Sequence, residues 1–220
     1  VIKGAIFDAD GTLLESTAMW MKAGARYLSS LGIEASSSLG DKMFSMTLND
    51  SAAFLREAFQ MEESCEEIVA GINGTILQFY REDVSLKPGA KEFLEALHQL
   101  GIPMTLATAT DRVVIEAGLR HTGILHYFSK VFTCGEVGLG KEHPEIYLQA
   151  RAHMGSPLEN TWVFEDALHG AKSAKSAGLR LAAVYDAVSE RQQEALQALS
   201  DIYLPDLCDF EGFLEGTKRI

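Results

Sequence analysis

Basic residues are scarce in this 220-residue sequence: 19 Lys and Arg against 31 Asp and Glu leave a formal net charge of −12 at pH 7. A nucleic-acid footprint needs a clustered basic surface, so no nucleic-acid partner is expected. The same imbalance repels anions at long range, so any anion site must be assembled locally. Long apolar runs are also missing. None approaches the roughly 18 residues of a membrane-spanning helix, and no membrane partner is expected. The few cysteines, Cys65, Cys134 and Cys208, are odd in number, widely spaced and outside any metal-ligand pattern. They suit structural thiols in a reduced, cytoplasmic protein, and Val1-Ile2-Lys3 opens no secretory leader. The six histidines lack the paired helical spacing of a zinc site. Repeats, low-complexity tracts and long linkers are absent as well. The oligomeric state is left open, a monomer being compatible with the sequence.

What is present is an ordinary globular balance, 47% hydrophobic and 23% charged. The chain falls into three stretches. Gly4-Ala5-Ile6-Phe7 is a short apolar run that stops at a burst of polar residues, the pattern of a strand ending in a functional loop. From Ser16 to Asp83 the periodicity is helical throughout: Trp20, Gly24, Tyr27, Leu28 and Leu31, then Phe54, Leu55, Ala58 and Phe59, then Ile68, Ile72 and Ile76 with Val69, Leu77 and Tyr80. From Val84 onward strands and helices alternate. Strands are expected at Pro103–Ala107, Val131–Thr133, Trp162–Phe164 and Leu181–Tyr185, with a helix whose face is Phe93, Leu94, Leu97 and Leu100, and a capping box of Ser189 and Gln192. Such alternation implies an α/β fold, a parallel sheet with helices on both faces. The first strand needs that sheet, so residues 1–15 and 84–220 are expected to form one core and residues 16–83 an inserted all-helical domain. The insertion leaves from the strands' carboxyl end, where ligands bind, and is placed to act as a cover.

Four strand ends carry polar residues that a parallel sheet would bring to one edge. They are Asp8-Ala9-Asp10-Gly11-Thr12, Thr108-Ala109-Thr110-Asp111, Lys141 beyond a glycine-rich loop, and Glu165-Asp166. Gly11 permits a turn that lets Asp8 and Asp10 face one cleft. Asp8 offers a carboxylate nucleophile and Asp10 a general acid/base. Glu165 and Asp166 offer hard oxygen ligands suited to magnesium. Lys141 supplies a point charge for phosphate, and Thr108 with the backbone N–H groups after it, from Ala109 on, can bind phosphate oxygens. Singly, each has a structural reading: a solvated turn, a strand-end hydroxyl bonding backbone, a surface lysine, a helix cap. Their complementary chemistry at four strand ends points to one phosphate-handling site.

In this order the segments resemble the haloacid dehalogenase-like hydrolase superfamily. Phe7-Asp8-Ala9-Asp10-Gly11-Thr12-Leu13 is similar to its first motif, Thr108 within Leu106–Thr110 to the second, Lys141 in Gly140–Glu145 to the third, and Phe164–Gly170 to the fourth. The resemblance covers essentially the whole chain and implies a Rossmann-like core with a helical cap. It also implies a magnesium-dependent phosphatase acting on a small phosphorylated metabolite through an aspartyl-phosphate on Asp8, with Asp10 protonating the leaving group and then activating water. Magnesium would be held by Asp8, the backbone carbonyl of Asp10 and Asp166, with Glu165 contributing directly or through water. An aspartate at position 10 separates the chain from carbon–halogen and phosphonate-cleaving relatives.

The sequence style is that of beta-phosphoglucomutase and its sugar-phosphatase neighbours. Trp20 stands where that mutase offers a cap histidine, and Met43–Asp50 has no basic residue to grip a second phosphate. A monophosphatase is therefore expected, with a phosphohexomutase as the alternative. Trp20 is expected to line the substrate pocket, and Met43, Phe44, Met46 and Leu48 to form an apolar cover.

Readings from other classes meet specific obstacles. Gly135-x4-Gly140-Lys141 nearly matches a nucleotide P-loop, but Glu142 replaces the Ser or Thr that would meet magnesium. An EF-hand reading of Asp8-x-Asp10 fails because Leu13 stands where glycine is required. A decayed, non-catalytic binding protein would have lost one of the chemical groups, and none is missing.

Overall fold

The computed structural model describes residues 1–36, 38–43 and 46–220, and Asp41 by its backbone alone. Phe44, expected in the apolar cover, lies outside the described residues. Strand β1 (Gly4–Phe7) is followed by four helices, α1 (Thr17–Ser30), α2 (Leu39–Met43), α3 (Leu48–Ala58) and α4 (Cys65–Glu82). Alternation then begins: α5 (Ala90–Gln99), β2 (Met104–Thr108), α6 (Arg112–His121), β3 (Val131–Thr133), α7 (Cys134–Val137) and α8 (Glu145–Met154). The chain closes with β4 (Thr161–Glu165), α9 (Leu168–Ser176), β5 (Arg180–Val184), α10 (Gln193–Leu199), β6 (Ile202–Leu204) and α11 (Phe210–Arg219). Six parallel strands form one sheet in the order β3-β2-β1-β4-β5-β6. The strand order reverses about β1, which opens a crevice at its carboxyl end.

Both faces of the sheet are covered, which is why β1, β2 and β4 are buried along their whole length. On one face Phe7 stacks on its cross-strand partner Phe164 with ring centroids 4.2 Å apart, and Phe93 of α5 meets Phe164 edge-on at 5.5 Å. On the other, Ile6 and Val163 meet Ile146 and Tyr147 of α8 and Ala174 of α9. Burying each such side chain contributes about 1.5–3 kcal/mol, so the strand ends that carry Asp8 and Glu165 are rigid.

The inserted helices follow the sequence reading with one shift. In α4 the buried stripe is Ile68, Ile72, Ile76 and Tyr80, and Ser64 with Glu67 closes a capping box at its start. In α1 the buried face is Met19, Ala23, Gly24, Tyr27 and Leu28, while Trp20 and Leu31, which share the helical spacing, are half-exposed. Leu100 likewise lies outside the buried face of α5. The expected Ser189–Gln192 capping box does not form. Asp186 accepts from Val188 N–H and starts a 3₁₀ turn over Ala187–Gln192, and α10 follows with no side-chain cap. The loop before Lys141 contains the single helical turn α7, and β6 and α11 were not expected at all. No helix among the described residues is long and apolar enough to cross a membrane.

The two crossings between core and insertion pair with each other. Glu15 N–H donates to Ser85 O and Lys87 N–H to Leu13 O, each at 2.9 Å, around an antiparallel Leu14–Leu86 bridge. Lys87 then turns inward. Its ammonium donates to Gly11 O at 2.8 Å, Tyr185 O at 2.7 Å and Asp186 Oδ2 at 2.9 Å, while Thr17 at the start of α1 donates to Asp186 Oδ1 at 3.1 Å. One buried ion pair thus ties together the loop after β1, both crossings and the end of β5. Removing one partner of a buried pair strands the other charge. Lys87→Met is therefore expected to cost about 3–5 kcal/mol in urea unfolding, where an exposed lysine such as Lys91 should cost less than about 0.5 kcal/mol.

Candidate active site

Asp8, the first residue beyond β1, and Glu165, the last of β4, lie side by side because their strands are neighbours. Lys141 reaches between them from the segment before α8. Its ammonium donates to Asp8 Oδ1 and, at 2.5 Å, to Glu165 Oε1. Tyr147 of α8 donates to the same Glu165 oxygen at 2.7 Å, and Ala167 N–H donates to Glu165 Oε2 at 3.2 Å. Asp166 completes the cluster. Asp8, Glu165 and Asp166 are all buried and each offers an oxygen within 4.8 Å of the others, a donor set that could hold a metal ion.

The charges do not balance. Lys141 is one cation beside three carboxylates. Asp166 has no ion-pair partner among the described residues and receives only the Thr12 hydroxyl, at 3.2 Å. Burial pushes the Asp8 carboxyl up to about 7, with Lys141 pulling it down and the negative charge of Glu165 and Asp10 pushing it up. Burial, then Asp8, Glu165 and Asp186, raise Asp166 well above the usual carboxylate range. Burial alone would discharge Lys141, but Asp8 and Glu165 outweigh it and raise its proton affinity. Gly11 is required here: its φ is +87°, and a Cβ would sit 2.5 Å from Asp166 Oδ2.

Asp10 lies apart from Lys141 and is held by hydroxyls. Ser16 donates to Oδ1 at 2.6 Å, Tyr80 of α4 donates to the same oxygen, and Thr110 donates to Oδ2 at 2.7 Å. Thr108 is buried at the end of β2, where its hydroxyl oxygen accepts Thr110 N–H at 3.0 Å. That N–H is thereby used within the loop. Ala109 is exposed at the same strand end. Trp20 donates its indole N–H to Tyr80 Oη at 3.0 Å and is two hydrogen bonds from Asp10. With Met21, Met43, Met46, Leu48 and Ile76 it lines a cavity of ≈ 320 Å³ among the inserted helices. None of Asp8, Thr108, Lys141 or Asp166 lines that cavity.

Sequence reasoning therefore located the groups that meet, and missed those that hold them. Thr110 lies within the recognised segment after β2 and Ser16 just beyond the one after β1, so both were within reach as hydroxyls at strand ends. Tyr80 and Tyr147 were not, because a tyrosine on an apolar helical face carries no sign of what its hydroxyl meets.

Comparison with known proteins places the chain in a family. A family model for haloacid dehalogenase-like hydrolases matches residues 2–178. The chain is 28% identical to a phosphorylated carbohydrates phosphatase of Thermotoga maritima over 178 residues, 81% of this chain and 82% of that one. It is 30% identical to validoxylamine A 7'-phosphate phosphatase of Streptomyces hygroscopicus, over 94% of this chain and 95% of that one. A solved structure of a candidate beta-phosphoglucomutase from Thermotoga maritima superposes with a TM-score of 0.86 at 26% identity, covering 97% of this chain and 99% of the other. Since the family model spans the sheet from β1 through the end of α9 and takes in all four of the polar strand ends, the chain belongs to the haloacid dehalogenase-like hydrolase family.

Proposed function

We propose that the protein is a magnesium-dependent phosphatase that hydrolyses a small phosphomonoester through an aspartyl-phosphate on Asp8. The observation that carries this reading is the buried Asp8–Lys141–Glu165 arrangement at the end of β1, with a hydroxyl-held Asp10 two residues on. Relatives named as phosphatases of phosphorylated carbohydrates and of validoxylamine A 7'-phosphate support a sugar-like phosphate as the substrate class.

The residues divide the work as follows. Asp8 attacks phosphorus as the ester bond breaks, and Asp10 gives its proton to the departing oxygen. Asp10 then takes a proton from water, whose oxygen attacks the same phosphorus and frees Asp8. Lys141 faces Asp8 and offsets charge as the phosphoryl group arrives. Thr108 and the Ala109 backbone, at the neighbouring strand end, are placed to bind phosphate oxygens. Trp20 takes part through Tyr80 and the cavity beside it. The inserted helices, residues 16–83, act as the cap over this crevice.

The donor set fits magnesium: hard oxygens, close together, buried and short of positive charge. Asp8, the Asp10 carbonyl and Asp166 would hold it. Bound there, it would supply positive charge to the phosphate and to the uncompensated carboxylates. Glu165 is placed differently, since Lys141, Tyr147 and Ala167 N–H already occupy its two oxygens. We assign it to fixing Lys141 and to contact with the ion's hydration shell. A phosphohexomutase is the second reading, favoured by the likeness to the Thermotoga candidate mutase. The absence of any Lys or Arg in Met43–Asp50 counts against it.

Two measurements check this. Asp8→Asn should lower kcat on sugar phosphates by more than about a thousandfold with no loss of melting temperature. Formation of glucose 6-phosphate from beta-glucose 1-phosphate without phosphate release would favour the mutase. The second measurement concerns pH. Asp8 and Asp166 hold protons more tightly folded than unfolded, so their contribution to stability is full below the ordinary carboxyl value of 3.8 and is lost as pH rises, through about 7 for Asp8 and well above the usual carboxylate range for Asp166. Magnesium should therefore raise the melting temperature more at about pH 8 than at about pH 5, and Asp166→Asn should remove most of that difference.

A further inference from the structure

We propose that Tyr80, carried by the inserted helix α4, is a positioning residue for Asp10, with its hydroxyl proton aimed by the indole of Trp20. The proposal rests on the reading of Asp10 as acid/base and extends it to a residue outside the four strand-end segments.

A phenol has one proton to give. Trp20 Nε1–H can only donate, and at 3.0 Å it occupies a lone pair of Tyr80 Oη. The Tyr80 proton is thereby left for Asp10 Oδ1, and the chain runs one way, from Trp20 to Tyr80 to Asp10. The ring itself is fully buried and held from two sides. Trp20 meets it edge-on at 6.4 Å, and Gly118 of α6 leaves room for it, since a Cβ there would lie 2.7 Å from Tyr80 Cδ1. The hydroxyl is therefore fixed by the core helix α6 as well as by α4. Thr110 reaches Asp10 from the core chain and Ser16 from the first residue of the insertion, and Tyr80 is the third hydroxyl, supplied by the inserted helix α4. Without it, Oδ1 keeps Ser16 alone and the carboxylate is held by two hydroxyls in place of three.

A misplaced acid matters in proportion to how badly the leaving group needs a proton. An alkoxide needs one; p-nitrophenolate does not. The test measures kcat/KM, which reports steps up to leaving-group departure, for p-nitrophenyl phosphate and for an alkyl phosphate such as glycerol phosphate. Tyr80→Phe keeps the ring and removes only the O–H. It should lower kcat/KM for the alkyl ester at least about tenfold and for the aryl ester less than about threefold. Trp20→Phe, which removes the indole donor, should shift the ratio in the same direction by less. Should Tyr80→Phe not fold, the ratio measured on Trp20→Phe decides. Equal losses on both esters, or no loss, would overturn the positioning role while leaving the phosphatase reading intact. Wild-type protein that hydrolyses neither ester would overturn both.

Discussion

Lys141 is one ammonium set among three buried carboxylates, and the rest of the site is arranged around that shortage of positive charge. Asp8 and Glu165 share it, and Asp166 is left with a single hydroxyl donor. A protein of net charge −12 gives no long-range help to an arriving phosphate. Attraction has to be local, and burial makes it strong, because Lys141 and any bound cation act at short range in a medium of low polarity. The same burial makes the gathering of three carboxylates costly. It is tolerated because the stacked Phe7 and Phe164 and the two helical layers fix the strand ends on which the carboxylates stand.

The inserted helices are joined to this centre by polar bonds as well as by chain. Thr17 reaches Asp186, Lys87 reaches Gly11 O, and Tyr80 reaches Asp10. Each of these bonds lies between an element of the insertion, or its crossings, and a residue at the edge of the sheet. Any movement of the insertion that admitted substrate would have to break some of them. Their strength therefore bears on access, and their geometry bears on where Asp10 points when the crevice is covered.

Much of the fold was legible in the sequence. The apolar run ending in Asp8, the strandless stretch 16–83 and the later alternation each leave a periodic trace that depends only on neighbouring residues. The candidate site was legible to the extent that its groups stand at strand ends. What was hidden are relationships between distant residues. Lys87 and Asp186 are 99 positions apart, and nothing in either neighbourhood announces the pair. Tyr80 sits in a stripe with Ile72 and Ile76, and helical period reports the face a residue occupies, not what its hydroxyl touches. β6 is three residues long, and neither it nor α11 was read from the sequence. Ser189 and Gln192 had the spacing of a capping box, yet Asp186, anchored by Lys87, starts the turn first.

The covalent step on Asp8 is the claim on which the account turns, and trapping it is the most direct measurement. Enzyme mixed with a phosphate ester and magnesium, quenched in acid within a turnover and digested, should yield a phosphoryl adduct on the peptide containing Asp8. The adduct should be labile to hydroxylamine, as an acyl phosphate is. A phosphoryl group on any other residue, or turnover with no trapped adduct and oxygen transfer directly from water, would contradict it.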